Sequence, residues 1–161
     1  MNSVPRKKPN QIPEWILQKM RHYCAYQERS IFEVKTKLNT FHLQAEIYDD
    51  VINQLIKEDY LNEERFARVF ASGKLRINKW GRNKIYLALQ QKRIPELFIL
   101  EGLNEIEESE YIKVLNELIA KKNRELSGIN LSNRTRKLVN FAVARGFEPR
   151  LVWDVINKLK E

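Results

Sequence analysis

The chain of 161 residues repeats itself, and the repeat limits what it can fold into. Shifted by 51 positions, Val34 falls on Ile85, Leu38 on Leu89, Leu43 on Ile94, Ile47 on Phe98, Ile52 on Leu103 and Leu55 on Ile106. A further shift of 53 places Ile85 on Leu138, Leu89 on Ala142, Ile94 on Phe147, Phe98 on Leu151 and Leu103 on Ile156. The apolar positions keep helical spacing in each copy, and the turn between a short helix and the next falls in register. With five Gly and five Pro in the chain, turn-rich β structure is disfavoured. The fold expected is all-α: three tandem three-helix repeats forming an elongated, curved array. The divisions expected are a flexible basic arm over 1–13, repeat 1 over 14–61, repeat 2 over 62–108 and repeat 3 over 109–161.

In the arm, Arg6, Lys7 and Lys8 sit among three prolines. A helix from Glu14 to about Gln27 offers Trp15, Met20, Tyr23 and Cys24 as inward residues. Ser30 with Glu33 three places on makes a capping box for the next helix, whose apolar side is Val34, Leu38 and Phe41. A third helix over about 44–57 turns in Ile47, Val51 or Ile52, and Leu55. Repeat 2 opens at Asn62, an N-cap followed by Glu63 and Glu64 at the positive end of the helix dipole. Its apolar stripe reads Phe66, Val69, Phe70, Gly73 and Ile77. Repeat 3 places helices over about 109–125, 132–145 and 149–158, with Gly146 as the C′ residue of the second.

Charge is distributed in blocks. Residues 28–64 hold nine acidic and four basic side chains; 65–95 hold nine basic and no acidic ones. Residues 96–117 carry seven acids against Lys113 alone, and 118–147 carry seven basic residues against Glu125 alone. The window from Arg65 to Pro95 therefore exceeds the whole net charge of +8. Arg65, Arg68, Ser72, Arg76 and Lys79 recur at steps of three or four and line a second stripe of their helix. Single-sign faces of this kind suit a ligand with a long negative backbone, or a protein polymer built on one.

Chemistry is harder to find. Gly73-Lys74-Leu75 lacks the upstream glycine and the hydroxyl residue of a phosphate-cradling loop. His22, Cys24 and His42 have no fourth partner at metal-binding spacing, and no nucleophile stands with a base. The expectation is a non-enzyme without cofactor or metal. Cys24 is alone, which fits a reducing compartment, and no apolar run reaches membrane-span length. A cytoplasmic location with no membrane contact is expected.

Four runs resemble the RecX family, bacterial regulators of the RecA recombinase. They are Arg29-Ser30 through Glu33-Val34 and Lys37-Leu38; Tyr60 through Ala67; Arg76, Gly81, Lys84-Ile85 and Leu89 with Lys92-Arg93-Ile94; and Arg145-Gly146-Phe147 with Val152 and Ile156. They stand in the family's order and cover nearly everything after residue 14. The chain departs at Asp59 and Arg93, where the family has Gly at helix ends. Left-handed backbone there costs a non-glycine residue about 1 kcal/mol. The resemblance implies a modular regulator, in the main an inhibitor, of recombination and DNA repair. It would bind RecA filaments on DNA and block their extension, recombinase activity and ATPase.

The partners expected are the RecA filament and, electrostatically and more weakly, single- and double-stranded DNA, with the protein itself a monomer. The contact residues expected are Arg65, Arg68, Arg76, Lys79, Arg82 and Lys84, extended by Lys92 and Arg93, with Arg134, Lys137 and Arg145 as a second patch. Trp80 and Tyr86 are candidates for base stacking, set against simple packing beside Gly81. The competing reading is a helical module that binds DNA directly, without RecA. A scaffold with no nucleic-acid role accounts poorly for the single-sign windows.

Overall fold

A computed structural model describes residues 12–161. The charged cluster of the basic arm lies outside the described residues. Among those described, nine α-helices follow one another and no strand occurs. They are α1 (Glu14–Tyr26), α2 (Ile31–Asn39), α3 (Glu46–Lys57), α4 (Glu63–Arg76), α5 (Arg82–Gln91), α6 (Glu96–Asn104), α7 (Glu108–Glu125), α8 (Leu131–Ala144) and α9 (Pro149–Leu159). The all-α expectation holds. No helix is long and apolar enough to cross a membrane among the described residues.

The local signals act as their chemistry dictates. The Ser30 hydroxyl accepts the Glu33 N–H while the Glu33 carboxylate accepts the Ser30 N–H, closing the capping box of α2. The Asn62 side chain accepts the Arg65 N–H at 2.9 Å and caps α4. α8 begins one residue earlier than expected because Asn130 caps it through the Asn133 N–H. Both departures from the family pattern adopt the left-handed backbone anticipated for them, with φ of 63° at Asp59 and 58° at Arg93. The repeat itself shows in this coordinate: the turn residues His42, Arg93 and Gly146, spaced by 51 and 53, have φ of 54°, 58° and 95°.

The chain divides into two compact units, one ending at Phe66 and the other spanning Ala67–Glu161. In the first, Ile16, Met20, Val34, Leu38, Val51 and Leu55 are fully buried, and both Val51 and Ile52 turn inward. Trp15 does not: it is 49% exposed, with its ring edge-on to Phe41 at 5.8 Å. In the second, the repeat positions Ile85, Leu89, Leu138, Ala142, Phe147, Val152 and Ile156 form the core together with Tyr111, Leu115 and Ile119.

The inward stripe of α4 differs from the one expected. Val69 is 53% and Ile77 81% exposed, whereas Phe66, Ala67, Ala71 and Leu75 are buried. The reason is close approach. A methyl group on Gly102 of α6 would stand 3.0 Å from the Ala67 carbonyl carbon, so only small residues fit where the helices meet. The larger β-branched Val69 and Ile77 lie off that face.

The second unit is also keyed together by two glycines. The Gly81 N–H donates to the Arg145 carbonyl at 2.8 Å, and the Asn83 N–H to the Gly146 carbonyl at 3.0 Å. A methyl group on Gly81 would overlap the Gly146–Phe147 peptide, and one on Gly146 would overlap Lys84. The start of α5 is thereby fixed against the α8–α9 turn.

Candidate functional site

Among the expected contact residues, four arginines prove to be held by carboxylates. Arg65 donates from Nε to Glu28 at 2.6 Å and from Nη1 to Asp59 at 3.1 Å. Arg68 pairs with Glu105 at 3.5 Å. Arg76 grips both oxygens of Glu110, at 2.6 and 3.2 Å. This bidentate hydrogen bond holds the Glu110 carboxyl below its ordinary range.

Arg82 is the most enclosed of the four. It pairs with Glu108 and with Glu148, and its guanidinium lies 3.8 Å from the centre of the Tyr111 ring. The Arg82 N–H donates to the Tyr111 hydroxyl at 3.0 Å, and that hydroxyl donates to Glu148 at 2.6 Å. Tyr111 is fully buried; burial, then the Glu148 carboxylate, push its phenol well above the usual value. Arg82 thus joins α5, α7 and the start of α9 through one satisfied polar cluster. Its partners Tyr111 and Glu148 were not singled out in the sequence, and Glu108, read there with Glu107 as solvated helix surface, pairs with Arg82. The signal was present in part, since the acidic block 96–117 follows the basic one and supplies Glu105, Glu108 and Glu110.

The remaining expected contacts are placed differently. Lys84 stands 4.6 Å and Lys74 4.8 Å from the centre of the Trp80 ring. Trp80 is thus already a platform for cations, and the Tyr86 hydroxyl donates to Glu96 at 3.1 Å. Lys92 sits 5.9 Å from the Phe70 ring centre, and Arg93 occupies the left-handed turn after α5. On α8, Arg134, Lys137 and Arg145 fall at i, i+3 and i+11. They share one stripe with Phe141 between them, while Thr135, Leu138 and Ala142 face the core.

Two of these residues, taken from separate patches of the sequence, line one cleft. Lys79, in the turn after α4, and Arg145, the residue that caps the C-terminus of α8, both line a cleft of about 570 Å³ whose other side is α7. Arg145 donates to the Asn78 carbonyl at 3.1 Å and lies 5.1 Å from the Phe141 ring centre.

Residues 62–103 match the family model described as RecX, second three-helix domain. Over 159 residues the chain is 28% identical to the regulatory protein RecX of Lactobacillus johnsonii, covering 99% of this chain and 59% of that one. The Lactobacillus gasseri protein of the same name is 29% identical over 137 residues, covering 85% and 51%. That of Bacillus cytotoxicus is 25% identical over 139 residues, covering 86% and 52%. The chain therefore spans between half and three-fifths of these relatives' length. The crystal structure of RecX from Lactobacillus salivarius matches with a TM-score of 0.82 at 21% identity, over 91% of this chain and 96% of that one. A second RecX crystal structure matches at 0.81 and 19% identity, over 90% and 72%. The resemblance to the RecX family drawn from the sequence is borne out, and the fold is that of RecX structures.

Proposed function

We propose, from this kinship with RecX, that the chain regulates the RecA recombinase by binding its filaments on DNA and blocking their extension. The observation that carries the reading is a coincidence of position. The segment that matches the RecX second three-helix domain, 62–103, contains the whole run of nine basic residues without an acidic one. We read the chain as three helical triplets, 14–61, 62–108 and 109–161, with basic side chains of the second and third forming the contact.

The structure refines the roles proposed for those side chains. Arg65, Arg68, Arg76 and Arg82 already face carboxylates, so an external anion would have to displace a partner to reach them. Lys79, Lys84, Arg134, Lys137 and Arg145 are the stronger candidates for the filament. A blocked filament end needs only one bound regulator. The protein should therefore depress the DNA-dependent ATPase of RecA at ratios well below one per recombinase subunit, while hydrolysing no nucleotide itself. Inhibition seen only at stoichiometric amounts and relieved by excess DNA would instead favour the competing reading, simple occupation of DNA.

A further inference from the structure

The α7–α8 cleft combines apolar, aromatic and basic side chains in one concave site. Its floor is Val114, Leu118 and Phe141, and its rim carries Lys79, Lys121, Lys122, Arg124 and Arg145 against Glu117 and Glu125. Lys122 is drawn to Glu125 at 3.4 Å. Lys121 and Arg124 are exposed and make no ion pair among the described residues. Lys122 and Arg145 also stand 5.0 and 5.1 Å from the centre of the half-buried Phe141 ring. An aromatic surface set among cations is suited to a ligand that is flat and apolar in one part and multiply anionic in another. The volume, about 570 Å³, is that of a small-molecule site.

Its walls are held in place. Lys79 keeps a left-handed backbone, φ 57°, without being glycine, and the Arg145 carbonyl accepts the Gly81 N–H in the glycine key. Both cations are thus carried on backbone whose position the fold fixes.

We propose that this cleft binds a nucleotide, its base against Phe141 and its phosphates among Lys79, Lys121, Arg124 and Arg145. The chemistry is the same whether the nucleotide is free or one unit of a single strand, and the site stands independently of any recombinase. The test uses the full chain alone, titrated calorimetrically with ATP, with a short oligothymidylate and with inorganic tripolyphosphate. Two variants accompany it: Phe141→Leu, which keeps apolar bulk and removes the ring, and Lys121→Gln with Arg124→Gln, which alters exposed positions only.

For ATP or the oligonucleotide, each variant should weaken binding about tenfold, the ring through lost stacking and the pair through lost charge. Tripolyphosphate should respond to the charge pair and not to Phe141→Leu. Ring-sensitive binding of ATP marks a free-nucleotide site; ring-sensitive binding of the oligonucleotide alone marks a strand site. The proposal is overturned if neither ligand binds, if Phe141→Leu binds both as the parent does, or if the charge pair leaves both affinities unchanged. Should Phe141→Leu fail to fold, the charge pair decides alone.

Discussion

The cations of α4 and α5 and those of α8 look alike in the sequence, yet they meet different surroundings. Arg65, Arg68, Arg76 and Arg82 each face a carboxylate carried by another element. Arg134 and Lys137 meet no carboxylate among the described residues and stand on one stripe of α8. A charge already partnered must give up its carboxylate before it meets an external anion. A charge left to solvent stays available to an external anion and falls in strength with salt. Basic residues in a run are therefore not equivalent contributors to a binding face, even where their spacing makes them one stripe.

The largest expected effect sharpens the fold side of this contrast. Gly81→Ala forces a methyl group into the Gly146 backbone and should cost about 3 kcal/mol in urea denaturation. Stability within 0.5 kcal/mol of the parent would mean that the two turns separate easily. Arg82→Gln comes next. It leaves Glu148 and Tyr111 without their cation and should cost about 2 kcal/mol, without aggregation at neutral pH. An unchanged midpoint would place Arg82 among the available charges and erase the distinction drawn here.

The exposed pair Arg76–Glu110 should show a coupling below about 1 kcal/mol in a double-mutant cycle. A larger coupling would make that pair structural in the sense of Arg82. The smallest effect concerns acid. In the first unit, the Arg21 hydrogen bonds hold the Glu58 carboxyl down to about 2 from an ordinary 4.5. A depressed carboxyl contributes stability that is complete above the ordinary value and disappears as pH falls through the depressed one. Stability should thus decline between about pH 5 and pH 2, and Arg21→Ala should flatten that part of a denaturation series. An acid limb unaltered in Arg21→Ala would assign the decline to other carboxylates.

These contrasts also mark how far the sequence was legible. The register of α5 and α8 could be read because their cores are Ile85, Leu89 and Leu138, large side chains whose period stands out. The inward face of α4 could not, since it is built on Ala67 and Ala71, which carry little apolar weight and matter through the close approach of Gly102. Asp59 and Arg93 were legible as left-handed positions because the family the chain resembles has Gly there, at helix ends. The pairing of the basic window was only half legible. The acidic block was visible, but Arg76 finds Glu110 34 positions away and Arg82 finds Glu148 66 away, matches that only the packed helices determine. Phe141 as a cleft floor was hidden for a similar reason, because its cations arrive from α4, α7 and α8 together.

On the function proposed above, availability more than net charge makes the face that would meet a RecA filament. The direct measurement is affinity for RecA-coated single-stranded DNA across a salt series, for the parent, for Arg76→Gln and for Arg134→Gln with Lys137→Gln. Binding should be about tenfold weaker for the α8 pair, with a logarithmic salt slope shallower by up to about two units, one per lost phosphate contact. Arg76→Gln should move the slope by less than about half a unit. Losses that simply track the number of charges removed, or a parent protein that does not bind the filament, would contradict it.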